Sequence, residues 1–86
     1  MSITNNYVDY PVSGRFGSGM YTYKCVLDTS DTGVVKIEIF ADTVEDAMAI
    51  VECNFGTIVN YSYLNDYLIS LILAPYSDGT CMLYVN

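Results

Sequence analysis

The chain has no histidine, no tryptophan, two prolines and only three basic residues, Arg15, Lys24 and Lys36. Without histidine, Ser-His and Cys-His nucleophile pairs are excluded, and the commonest general base and metal ligand is missing. Three cations against ten carboxylates leave a net charge of −7. A surface of that sign repels phosphate backbones and anionic bilayers, so neither nucleic acid nor a membrane is expected as a partner. Nowhere do 18 apolar residues follow one another, and the first seven residues carry neither a basic run nor a leader-like apolar stretch. The expected location is therefore cytoplasmic.

Chemistry-bearing motifs are equally sparse. Residues 14–19, Gly-Arg-Phe-Gly-Ser-Gly, form the one glycine-rich segment that resembles an anion cradle, with Arg15 as a countercharge. It lacks the Gly-Lys-Ser/Thr of a P-loop and the G-x-G-x-x-G spacing, and it leads into a strand pattern instead of a helix. Asp28, Ser30 and Asp31 lack the spacing and the closing glutamate of a calcium loop. The acids of 45–52 fall on an exposed helix face, where no raised pKa is expected. The reading is a protein with no catalytic, metal or cofactor residues, and not an enzyme.

Cys25, Cys53 and Cys81 are an odd number, spaced by 28 residues each time. Their surroundings share no repeat, and each reads as a small buried hydrophobe. Asn60-Tyr61-Ser62 matches a glycosylation sequon, which carries little meaning without a secretory leader.

What is present points to one small domain over residues 1–86, with an irregular glycine-rich segment at 1–19 and the main sheet and helix in 20–86. A chain of this length buries only about 63% of its extended surface, so a single modest core is the limit. Residues 7–12 could form an edge strand, which Pro11 keeps from a sheet centre. Residues 20–27 and 34–40 alternate with period two around a polar turn and predict a hairpin. Thr43 is an N-cap with acids in the first turn behind it, and Val44, Ala47, Met48, Val51 and Phe55 make one helical stripe. Gly56 stands where a left-handed cap is expected. Three more strands follow, in residues 58–63, 67–73 and 81–85. The expected class is α+β: a curved antiparallel sheet of about five strands in the order β-β-α-β-β-β, with the helix on one face. A small SH3-like or Sm-like, partly open barrel with an inserted helix is the alternative.

One helix covers one face of such a sheet, yet residues 67–73 are apolar on both sides. Leu68 and Ile72, with Met20, Val26, Val34 and Phe40 of the first hairpin, would leave an apolar patch larger than a monomer tolerates. A second copy is the simplest cover, and a homo-oligomer, a dimer foremost, is expected. Nine tyrosines suit both strands and binding surfaces. Tyr7, Tyr10 and Tyr76, in expected loops or edges, join Arg15 and Phe16 of the glycine-rich loop and Glu45, Asp46 and Glu52 of the helix as candidate partner contacts. In size, acidity and order of elements the chain resembles accessory proteins encoded by bacteriophages, some of which inhibit host enzymes or defence complexes. The resemblance implies a host-cytoplasmic interaction protein and assigns no residue. The functional expectation is a small acidic protein that binds a basic protein partner and associates with itself. The alternatives are a structural assembly subunit, or a small-molecule module with its ligand between the helix and Tyr21, Tyr23, Tyr61 and Tyr63.

Overall fold

The computed structural model describes residues 11–74 and 80–85. The expected contacts Tyr7, Tyr10 and Tyr76 lie outside the described residues. Those described form strands β1 (Val12–Gly17), β2 (Tyr21–Thr29) and β3 (Gly33–Ala41), helix α1 (Val44–Phe55), and strands β4 (Thr57–Asn65), β5 (Leu68–Ala74) and β6 (Thr80–Val85). All six strands belong to one sheet, in the order β1-β3-β2-β6-β5-β4.

The hairpin patterns translate directly into ladders. β2 pairs antiparallel with β3 from Tyr21–Ala41 to Thr29–Gly33, and β4, β5 and β6 follow as an antiparallel meander. Thr43 caps the helix as its sequence position suggests: its Oγ1 accepts from the Asp46 amide at 3.1 Å. Gly56 departs from the expected left-handed cap. Its φ of 144° and ψ of 168° lie in an extended region open almost only to glycine, which turns the chain straight from α1 into β4.

The glycine-rich segment is the main correction. Residues expected to form a loop are β1, paired parallel with β3 through Phe16–Ile39 and its neighbours, so the sheet is mixed and has six strands. An edge strand pairs on one side only, which tolerates Pro11 just before it and glycines within it. Because β3 lies between β1 and β2, the connection at residues 18–20 must cross the end of β3. It does so at Ala41, against whose backbone Gly19 packs with no room for a Cβ. The Met20 amide then donates to Asp42 Oδ1 at 2.9 Å, pinning the crossing. Gly19→Ala should lower the unfolding free energy by about 1–3 kcal/mol, as overpacking against rigid backbone does, and chemical denaturation will measure it. A neutral result would mean that the crossing can lift away from β3.

Among the described residues the sheet is not closed, because β1 and β4 are its edges and do not pair with each other. Both nevertheless meet the same turn of α1. Phe55 stands edge-on to Phe16 of β1 with ring centroids 6.0 Å apart, while Glu52 Oε2 accepts from the Ile58 amide of β4 at 3.0 Å. A flat six-stranded sheet is about 24 Å across, too wide for one helical turn to reach both edges. The sheet therefore curls towards α1, whose buried Ala47 and Val51 join the core on that side.

The concave side holds the core. Ile39, Leu71, Leu73, Leu83 and Val51 are its largest fully buried side chains. Phe16, expected on display in a loop, packs against this core instead. Cys25 of β2 and Cys81 of β6 lie inside it, joined as a disulfide across a sequence separation of 56. Sheet order makes β2 and β6 neighbours, and the register puts the two cysteines on a cross-strand diagonal, which their sequence spacing alone does not reveal. Cys53 is the opposite correction: it is exposed, because position 53 falls off the apolar stripe of α1.

The convex side collects Val26, Val34, Phe40, Leu68 and Ile72, five of the six residues expected at a self-association face. All five are half-buried. Met20, the sixth, precedes β2 in the crossing and is 81% exposed.

Candidate functional site: the cleft between α1 and β4

Exposed apolar side chains gather at the far edge of the sheet. Val59 (59% exposed), Tyr61 (49%), Tyr63 (59%) and Leu64 all belong to β4, and Tyr67 follows in the turn to β5. The cause is topological. β4 is an edge strand, so α1 reaches its start and leaves the rest of its inner face open.

Local register decides which side chains look inward. The pairing steps from Ile58–Leu73 to Asn60–Ile72, making Val59 the extra residue of a β-bulge. The bulge puts Ile58 on the same side as Tyr61 and Tyr63, whose partners Leu71 and Ile69 are core residues. Strict alternation would have grouped Val59 with the tyrosines and Ile58 opposite. Tyr61 and Tyr63, two apart on one face, meet edge-to-face with centroids 5.9 Å apart.

Between these residues and the helix lies a cleft of about 440 Å³. Glu45, Met48 and Glu52 line its helical wall, and Ile58, Tyr61 and Tyr63 its strand wall. Glu45 and Glu52 are seven residues apart and share a helix face. They are the only charged side chains in the lining, which contains no cation. The bond from the Ile58 amide holds one Glu52 oxygen in place at the cleft rim.

The other expected site residues lie elsewhere. Asp46 is exposed in the first turn of α1, outside the cleft lining. Arg15 is on β1, where its Nε donates to Glu38 Oε1 at 3.0 Å while the side chain stays 64% exposed. Such a surface pair contributes less than about 1 kcal/mol. Of the four tyrosines expected around a ligand, Tyr61 and Tyr63 line the cleft, Tyr21 is exposed on β2, and Tyr23 is in the core. Among the described residues no three potential metal ligands come together, and no helix is long and apolar enough to cross a membrane.

Two buried phenols give the fold a dependence on alkaline pH. Burial raises Tyr23 above its ordinary value of 10.0, and Tyr21 and the acids Glu45, Asp46 and Asp42 add to the shift. Burial alone raises Tyr84. The unfolded chain loses these protons near pH 10 while the native chain keeps them, so their contribution is fully present below pH 10 and is lost as pH rises through the native values. Unfolding free energy should stay level with respect to these groups up to about pH 9 and fall above pH 10, with a shallower fall in Tyr23→Phe. An equal slope in that variant would remove Tyr23 from the account.

No known family, curated protein or solved structure matches the chain.

Proposed function

We propose that this chain is a non-enzymatic, acidic protein-binding domain whose partner surface is the α1–β4 side of the fold. One observation carries the reading: exposed Val59, Tyr61 and Tyr63 of the edge strand β4 share one cleft with the carboxylates Glu45 and Glu52 of α1. Aromatic residues in a contiguous exposed apolar patch are the composition of interface centres. The lack of histidine supports binding over acid–base catalysis. A small ligand needs walls that bury most of its surface, whereas Tyr61 and Tyr63 stay about half exposed, which favours a broader partner.

Selection of displayed random peptides on the full oxidised chain tests this. Recovered peptides should compete with one another and lose at least tenfold in affinity against Tyr61→Ala/Tyr63→Ala, the size expected when aromatic anchors are removed. Failure to recover binders, or binders indifferent to both tyrosines, would overturn it.

Self-association through the convex face is a second reading, supported by Val26, Val34, Phe40, Leu68 and Ile72 of β2, β3 and β5 sharing the half-buried face opposite α1, where they alternate with polar and charged residues such as Lys24 and Glu38. The two surfaces are on opposite sides of the sheet, so both can operate at once. Light scattering should give twice 9.6 kDa, and a mass of 9.6 kDa at every concentration would remove the dimer. The Cys25–Cys81 bond supports an oxidising compartment over the cytoplasmic placement expected above.

A further inference from the structure

The protein-binding reading leaves open how a partner would engage the α1–β4 edge. Resting on that reading, we propose that the partner docks as an added strand: an extended basic segment pairs with the outer edge of β4 and lays an arginine or lysine side chain in the cleft between Tyr61, Tyr63, Glu45 and Glu52.

Three independent features converge there. The first is the edge itself. Among the described residues β4 pairs with β5 alone, so a nine-residue strand offers its other side for pairing. Protein edges of that length are ordinarily blunted by lysine, proline, an inward charge or a bulge. The β4 sequence, Thr-Ile-Val-Asn-Tyr-Ser-Tyr-Leu-Asn, has no lysine, proline or charge, and between its register shifts at Val59 and Leu64 the stretch Asn60–Tyr63 keeps a regular ladder with β5. Peptide addition to an open edge takes its affinity from main-chain hydrogen bonds and its specificity from pockets for alternate side chains.

The second feature is the pocket for such a side chain. Tyr61 and Tyr63 meet at 5.9 Å along one wall of the cleft, and a cation within about 6 Å of a tyrosine ring face is attracted by it. The opposite wall supplies Glu45 and Glu52, with one Glu52 oxygen already fixed by the Ile58 amide. Two carboxylates and two aromatic rings around one space complement a guanidinium or ammonium group on an aliphatic stem.

The third feature is charge, which selects among occupants. A second copy added across a two-fold axis would bring Glu45 and Glu52 of both chains towards one another, and neither β4 nor the cleft lining carries a cation to offset them. A basic segment meets the opposite situation, in a chain whose net charge of −7 also speeds its approach.

The test uses the full oxidised chain, isotope-labelled, and a nine-residue capped peptide alternating threonine and arginine. Amide shifts should concentrate in β4 and along the Glu45–Glu52 face of α1. Glu45→Gln/Glu52→Gln keeps an acceptor for the Ile58 amide and should weaken the peptide about tenfold, as the loss of two charge contacts does. Methylating alternate peptide nitrogens on the pairing side should abolish the β4 shifts, because strand addition needs those donors. Shifts spread over the whole acidic surface and indifferent to methylation would overturn the proposal. So would concentration-dependent β4 shifts without peptide, which would place a second copy on the edge. If displayed peptides bind through Tyr61 and Tyr63 but leave the β4 amides unperturbed, strand addition fails while the protein-binding reading stands.

Discussion

Reducing the Cys25–Cys81 bond should lower the unfolding free energy by about 4 kcal/mol, the chain-entropy expectation for a bridge closing a loop of this length. The bridge joins the last strand to the second, so its removal frees nearly the whole described fold to expand when unfolded. Domains of this length have roughly 4–13 kcal/mol in total, so the loss is a large fraction of what holds the chain together. The melting temperature should drop by about 15–30 °C, since a kilocalorie moves a domain of this size by about 4–8 °C. Denaturant titration of oxidised chain, reduced chain and Cys25→Ala/Cys81→Ala will measure it, with Cys53→Ala as the control. Thiol alkylation checks the premise separately. Unfolded but unreduced chain should take one label, at Cys53, and three after reduction. Three labels without reductant would mean that Cys25 and Cys81 are adjoining buried thiols, and a loss below about 1 kcal/mol would mean that the bond adds little to their packing.

This pair also marks the boundary of what the sequence makes legible. Features set by neighbours in the chain are readable: Thr43 with its acidic first turn, the Val44–Phe55 stripe, the period-two hairpin of β2 and β3. Each is a local choice between two periodicities. Features set by sheet order are not. Cys25 meets Cys81 only because β6 returns beside β2, and β1 exists only because β3 offers it a parallel edge. On its own, a segment with glycines at 14, 17 and 19 has the composition of a loop.

The candidate site shows the same division. Glu45 and Glu52 are legible as exposed helix positions, and Tyr61 and Tyr63 as strand residues on one face. Alternation cannot say whether that face is covered. The decision rests with β4 being last in the sheet, and with the bulge at Val59, which carries Ile58 to the tyrosine side. Arg15 and Phe16 illustrate the converse. Once their segment is a strand, successive side chains go to opposite faces, so one reaches Glu38 and the other packs against Phe55.

Leu71→Ala and Ile72→Ala, adjacent on β5, should differ sharply. Leu71 is fully buried on the concave side, in the cluster that includes Val51 of α1, and its truncation should cost about 3–5 kcal/mol through lost burial and the cavity left behind. Ile72 points to the convex side and is only half-buried, so in a single copy the same change should cost about 1–2 kcal/mol. Concentration then separates packing from association. If two copies meet on their convex faces, the unfolding midpoint of the unaltered chain rises with protein concentration, because folding and pairing are linked by mass action. Ile72→Ala should flatten that dependence, while Leu71→Ala should lower the midpoint and leave the dependence in place. A midpoint independent of concentration in the unaltered chain would sink the convex-face dimer. In that case the half-burial of Val26, Val34, Phe40, Leu68 and Ile72 would be complete within one chain, and the β4 edge would remain as the apolar surface that calls for a partner.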